Sequence, residues 1–63
     1  MIRKKRLEKK LTQNQLARRL NVSRSYISKL ENKSFNNPSL NFLKKLAYIL
    51  DLELDDLLDW ILR

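Results

Sequence analysis

An all-α, compact five-helix bundle is the fold class that three observations predict. The 63-residue chain has no glycine and one proline, Pro38, so it lacks the usual material of hairpin turns. Its apolar residues recur at helical spacing, not in the alternation of a half-buried strand. Thr12, Ser23 and Ser39 each stand just before a periodic segment, where a hydroxyl accepts from an unpaired helix N–H.

The first helix is expected from about Ile2 to Lys9. The second runs from Gln13 to Leu20, opened by Thr12 with Gln15 three residues on, a capping box. Leu16, Ala17 and Leu20 share its inner face. The third runs from Arg24 to Glu31 behind Ser23, with Val22, Ile27 and Leu30 inward. The fourth spans about Leu40 to Leu50 and carries Leu43, Leu46, Ala47 and Leu50, a core stripe and not a ligand box. The fifth runs from about Leu54 or Asp55 to Leu62, with Asp55 and Asp56 in the first turn, where the helix dipole favours acids. Asn21, Asn32 and Asp51 occupy the helix ends where a left-handed residue is expected; Asn and Asp tolerate that conformation best after glycine. The one real loop covers residues 33–38. The expected core is Leu7, Leu11, Leu16, Ala17, Leu20, Val22, Ile27, Leu30, Leu40, Leu43, Leu46, Ala47, Leu50, Leu52 and Leu57.

Residues 1–63 read as a single domain near the lower size limit for a core that folds alone. The absence of cysteine and histidine excludes disulfides and thiolate or imidazole metal sites, and removes the usual catalytic bases and nucleophiles. No enzyme activity, metal or cofactor is expected. No apolar run is long enough for a membrane span, and no signal peptide is readable. Charge is unevenly divided. Residues 1–33 hold eleven Lys or Arg against Glu8 and Glu31, a net +9, while residues 34–63 are net −2. One polyanion-binding half and one half with another task are implied. Taken alone, the run Arg3, Lys4, Lys5 and Arg6 is simply a solvated helix face.

What changes that weighting is the stretch QNQLARRLNVSRSYISKLEN, residues 13–32. Two short amphipathic helices with almost no linker must cross steeply, and the small Ala17 fits the crossing. The second helix then presents Arg24, Ser25, Ser28 and Lys29 outward, the chemistry of a helix that enters the DNA major groove. Arg24 has the planar fork that donates twice to guanine, though a phosphate contact fits it too. Lys29 suits guanine or phosphate equally, and Ser25 either a base or a phosphate. Tyr26 fits a phosphate or thymine-methyl contact, or a shield over the helix crossing. In the fifth helix Leu54, Leu57, Leu58 and Ile61 follow a helical stripe flanked by Trp60. With Leu57 facing the core, Leu54, Leu58, Trp60 and Ile61 are expected in a two-fold dimer contact; the alternative folds Trp60 back over its own domain.

The segments LTQNQLARRLNVSRSYISKLEN and NPSLNFLKKLAYILDLELDDLL resemble the Cro/C1-type helix-turn-helix family, which includes the phage lambda and 434 repressors. The resemblance runs from Ile2 to about Leu58 and implies a lambda repressor-like DNA-binding domain. It implies base contacts from Arg24, Ser25 and Lys29. It implies backbone contacts from Gln13, which opens the second helix, and from the loop residues Asn32, Lys33, Asn36 and Asn37. Ser23, Tyr26 and Ser28 join the backbone set. The family's ion pair between first and third helices maps to Arg6 and Glu31. Where the family commonly has glycine, this chain has Lys10, Asn21, Lys33 and Asp51, which implies slightly strained turns. The implied function is a sequence-specific double-stranded DNA-binding transcriptional regulator, a repressor acting as a homodimer on a palindromic operator. Its expected location is the cytoplasm, at the nucleoid. The competing expectation is an antitoxin-type interaction module that grips a protein partner through the fifth helix and also binds DNA.

Overall fold

The computed structural model describes residues 1–34 and 38–63. Its described residues form five helices and no strand: α1 (Ile2–Glu8), α2 (Gln13–Leu20), α3 (Arg24–Glu31), α4 (Leu40–Leu50) and α5 (Leu54–Leu62). Three of these five helix starts, those of α2, α3 and α4, follow hydroxyl residues. Thr12 Oγ1 accepts from the Gln15 N–H at 3.0 Å, and Gln15 Oε1 accepts from the Thr12 N–H at 2.8 Å, completing the capping box. Ser23 accepts from Tyr26 N–H and Ser39 from Phe42 N–H, both at 3.1 Å.

Four helices end in one and the same way. After α1, α2, α3 and α4 stands a residue with φ between 54° and 59°: Lys10, Asn21, Lys33 and Asp51. Each donates its N–H to the carbonyl three residues back, and the following residue donates to the carbonyl five residues back, as in Val22 to Ala17 at 3.0 Å and Leu52 to Ala47 at 2.8 Å. This is the Schellman closure, and it normally recruits glycine. Here it is made four times without one. The left-handed residue expected at Asn32 is instead Lys33. Asn32 keeps φ −93° and turns its amide nitrogen onto the Ser28 carbonyl at 3.0 Å, so the left-handed step falls one residue later.

The core is Ile2, Leu16, Ala17, Leu20, Ile27, Leu30, Leu43, Leu46, Ala47, Leu50 and Leu57, with Leu11, Val22 and Leu52 partly buried against it. Two expected core residues lie outside: Leu7 is 55 % and Leu40 52 % exposed. In α1 the buried face is Ile2 with Arg6 at i+4, which turns Leu7 outward; Ile2 takes the core place given to Leu7. Leu40 is the first residue of α4 and sits at the edge of the stripe centred on Leu43, Leu46, Ala47 and Leu50. The α2–α3 corner packs on α4 through α2, while α1 packs on α3 and α4, and α5 on α4. One face of α3 is left free.

Candidate nucleic-acid interface

The outer face of α3 is built by its N-cap and its spacing. Ser23 starts the helix, Ile27 and Leu30 anchor it in the core, and Arg24, Ser25, Ser28 and Lys29 are left on the outside. These four side chains line a shallow concavity of about 310 Å³ that contains no acid. Every polar group there is a donor or can become one, which suits base edges and phosphate oxygens.

Behind this face lies a buried polar cluster centred on Glu31. Arg6 is only 7 % exposed. Its Nε donates to Glu31 Oε2 at 2.6 Å, its Nη2 to Glu31 Oε1 at 3.4 Å, and its Nη1 to the Leu11 carbonyl at 2.8 Å. Gln13 Nε2 donates to the same Glu31 Oε1 at 3.1 Å. One carboxylate at the end of α3 thus ties down α1 and the first residue of α2, and Arg6, which it holds, ties down the α1–α2 link. Among the described residues no buried side-chain N or O lacks a partner. The Gln13 amide has one N–H held by Glu31 and a second left to donate.

Other expected site residues are placed in distinct surroundings. Tyr26 packs edge-on against Phe42 of α4, with ring centroids 5.3 Å apart at 87°, so its ring braces the α3–α4 contact. Ser23 Oγ is occupied as an acceptor by its own helix, leaving its hydroxyl hydrogen free to donate. The Lys33 ammonium lies 4.8 Å from the Trp60 ring centroid, joining the end of α3 to α5. Asn36 and Asn37 lie outside the described residues. Leu54, Leu58, Trp60 and Ile61 are half-buried and pack against the chain's own core; Leu62, beside them, is 83 % exposed. Sequence reasoning had no signal for the Gln13–Glu31, Tyr26–Phe42 or Lys33–Trp60 contacts, nor for the ion pair between Lys9 and Asp51 that links the ends of α1 and α4. That pair holds the Asp51 carboxyl below its ordinary 3.8, first through the hydrogen bond from Lys9 and then through its charge.

A family model described as helix-turn-helix matches residues 2–57. The chain belongs to this helix-turn-helix family. Among its relatives is the HTH-type transcriptional regulator SlrR of Bacillus subtilis strain 168, 46 % identical over 94 % of this chain and 39 % of the relative. The HTH-type transcriptional regulator SinR of the same strain is 38 % identical over 92 % of the chain and 52 % of its own length. The ImmF control region 10 kDa protein of Bacillus phage phi105 is 39 % identical over 87 % and 60 %, respectively. The chain therefore spans between about two fifths and three fifths of these relatives. No solved structure matches it. Among the described residues no helix is long and apolar enough to cross a membrane.

Proposed function

We propose that this helix-turn-helix chain binds double-stranded DNA sequence-specifically and regulates transcription, as a repressor that occupies an operator. The observation that carries this reading is the acid-free outer face of α3, held rigid from behind by the Arg6–Glu31–Gln13 cluster. The recognition helix lies in the major groove, the geometry for which the phage lambda and 434 repressors are the type cases. Arg24 donates bidentately to guanine O6 and N7, and Ser25 and Lys29 meet neighbouring base edges. Gln13, Ser23, Tyr26, Ser28, Asn32, Lys33, Asn36 and Asn37 hold the sugar-phosphate backbone on either side. The relatives named as transcriptional regulators support the same assignment.

The operator is palindromic and is read by a homodimer. Half-sites in such complexes lie about 34 Å apart. The longest extent of this fold is 24 Å, so one copy reaches one half-site and a palindrome needs two. The contact between the copies uses the edges of Leu54, Leu58, Trp60 and Ile61 that the core leaves uncovered. Selecting bound duplexes from a random pool at stated salt tests the whole reading. An inverted repeat containing guanine within each half is the expected result; recovery of all sequences alike would overturn it.

A further inference from the structure

A second concavity, of about 410 Å³, is lined by Arg19 of α2 and by Lys44, Lys45, Tyr48 and Ile49 of α4. It shares no lining residue with the concavity over α3. The apolar part is Ile49, half-buried, and Tyr48, which stands 84 % exposed. The rim is cationic, and among the described residues neither Arg19, Lys44 nor Lys45 has an ion-pair partner. An exposed aromatic ringed by three unpaired cations adds little to the stability of its own fold. It is suited to an acidic, partly apolar helix.

The chain itself carries such a helix face. Asp55, Asp56 and Asp59 lie on the outer side of α5 at i, i+1 and i+4, the spacing of Lys44, Lys45 and Tyr48 on α4. Leu62 prolongs the acid stripe by one turn. Among the described residues Asp55 and Asp56 have no ion-pair partner, and Asp59 meets Arg63 of its own helix at 2.8 Å. Two copies set groove to groove would oppose like charges, so a symmetric contact is repelled.

We propose that the groove of one copy receives the acidic outer face of α5 of a second copy. Asp55 and Asp56 then face Lys44 and Lys45, and Leu62 covers Tyr48 and Ile49. The contact is heterologous: each added copy leaves one groove and one acid face open, so copies join head to tail beyond a dimer. It is independent of DNA. It uses other residues of α5 than the proposed two-fold contact, which rests on the half-buried Leu54, Leu58, Trp60 and Ile61.

Sedimentation velocity on the whole chain, across a concentration series at low and high salt without DNA, tests the proposal. Salt-sensitive growth in mass is expected for the unaltered chain. Lys44→Glu/Lys45→Glu and Asp55→Lys/Asp56→Lys should each weaken that association by about tenfold or more, because attraction becomes repulsion. Mixing the two variants should restore it, since each groove then opposes an α5 of the other sign. Both variants remain cationic overall, so net attraction does not explain recovery. Leu62→Ser, which leaves the first turn of α5 intact, should also weaken it, with the helical circular dichroism unchanged. A mass that never rises, association unchanged in both double variants, or a mixture that fails to recover overturns the proposal. So does a Lys44→Glu/Lys45→Glu variant that self-associates normally but binds duplex DNA less tightly, which would assign the rim to phosphates.

Discussion

Glu31 is the residue on which the candidate interface turns, because a single buried carboxylate holds α1 through Arg6 and α2 through Gln13. Removing it alone strands the Arg6 guanidinium in a site that is nine-tenths buried. Glu31→Ala should therefore cost about 3–5 kcal/mol in urea unfolding, whereas Arg6→Met/Glu31→Leu should cost much less. Equal losses in both variants would mean that the pair is solvated and carries little. On the outer side of the same helix, Arg24→Ala should relax preference at one base position by about 1–3 kcal/mol and leave nonspecific binding in place. Affinities for selected and scrambled duplexes at one salt concentration check this, and a uniform loss would place Arg24 on phosphate. The outer set Arg24, Ser25, Ser28 and Lys29 can be read from sequence because helical spacing alone puts these residues on one face. The Gln13–Glu31 bond and the Lys33–Trp60 contact cannot, since each joins residues far apart in sequence and depends on how whole helices meet.

At the level of the elements, start signals were plainer than stop signals. Thr12, Ser23 and Ser39 mark their helices by a local hydrogen bond, and α2, α3 and α4 have the bounds their periodicity predicts. α1 is harder because seven residues give too short a pattern to choose between Ile2 and Leu7 as the inward residue. Helix ends without glycine are harder still, since lysine at a left-handed position is marked only by the resemblance, which has glycine where this chain has Lys10 and Lys33. That position has a consequence. Lysine holds φ 58° at Lys10 against the clash between Cβ and the following carbonyl, which glycine avoids. Lys10→Gly should raise stability by about 0.5–1 kcal/mol, measured by urea unfolding, and Asn21→Gly should gain less because asparagine tolerates the conformation. The Asp51 end of α4 adds a pH dependence. Its carboxyl is lowered in the folded state by Lys9, so folding favours the ionised form. The benefit is full above the unfolded value near 3.8 and is lost as pH falls through the lower folded value. Lys9→Met should flatten this part of the acid-unfolding curve; an unchanged acid limb would mean that the exposed pair is screened away.

For the molecule as a whole, charge is divided as the work is. The half that carries the helix-turn-helix is net +9 and the half that carries α4 and α5 is net −2, so the proposed polyanion contact falls on one part of a small fold and the proposed copy-to-copy contacts mainly on the other. Lys33 stands at the boundary. Its ammonium lies over Trp60, yet it is also one of the residues proposed to hold phosphate. Binding DNA requires it to choose. If it leaves the ring for a phosphate, it releases about one counterion, and the slope of log affinity against log salt carries its share. Lys33→Met should then reduce that slope by about 0.9, equally on operator and random duplexes. The emission of Trp60, the single tryptophan, should also change when the unaltered chain binds and change less in the variant. An unchanged slope together with unchanged emission would leave Lys33 on the ring, as a clasp between the recognition helix and α5 with no part in holding DNA.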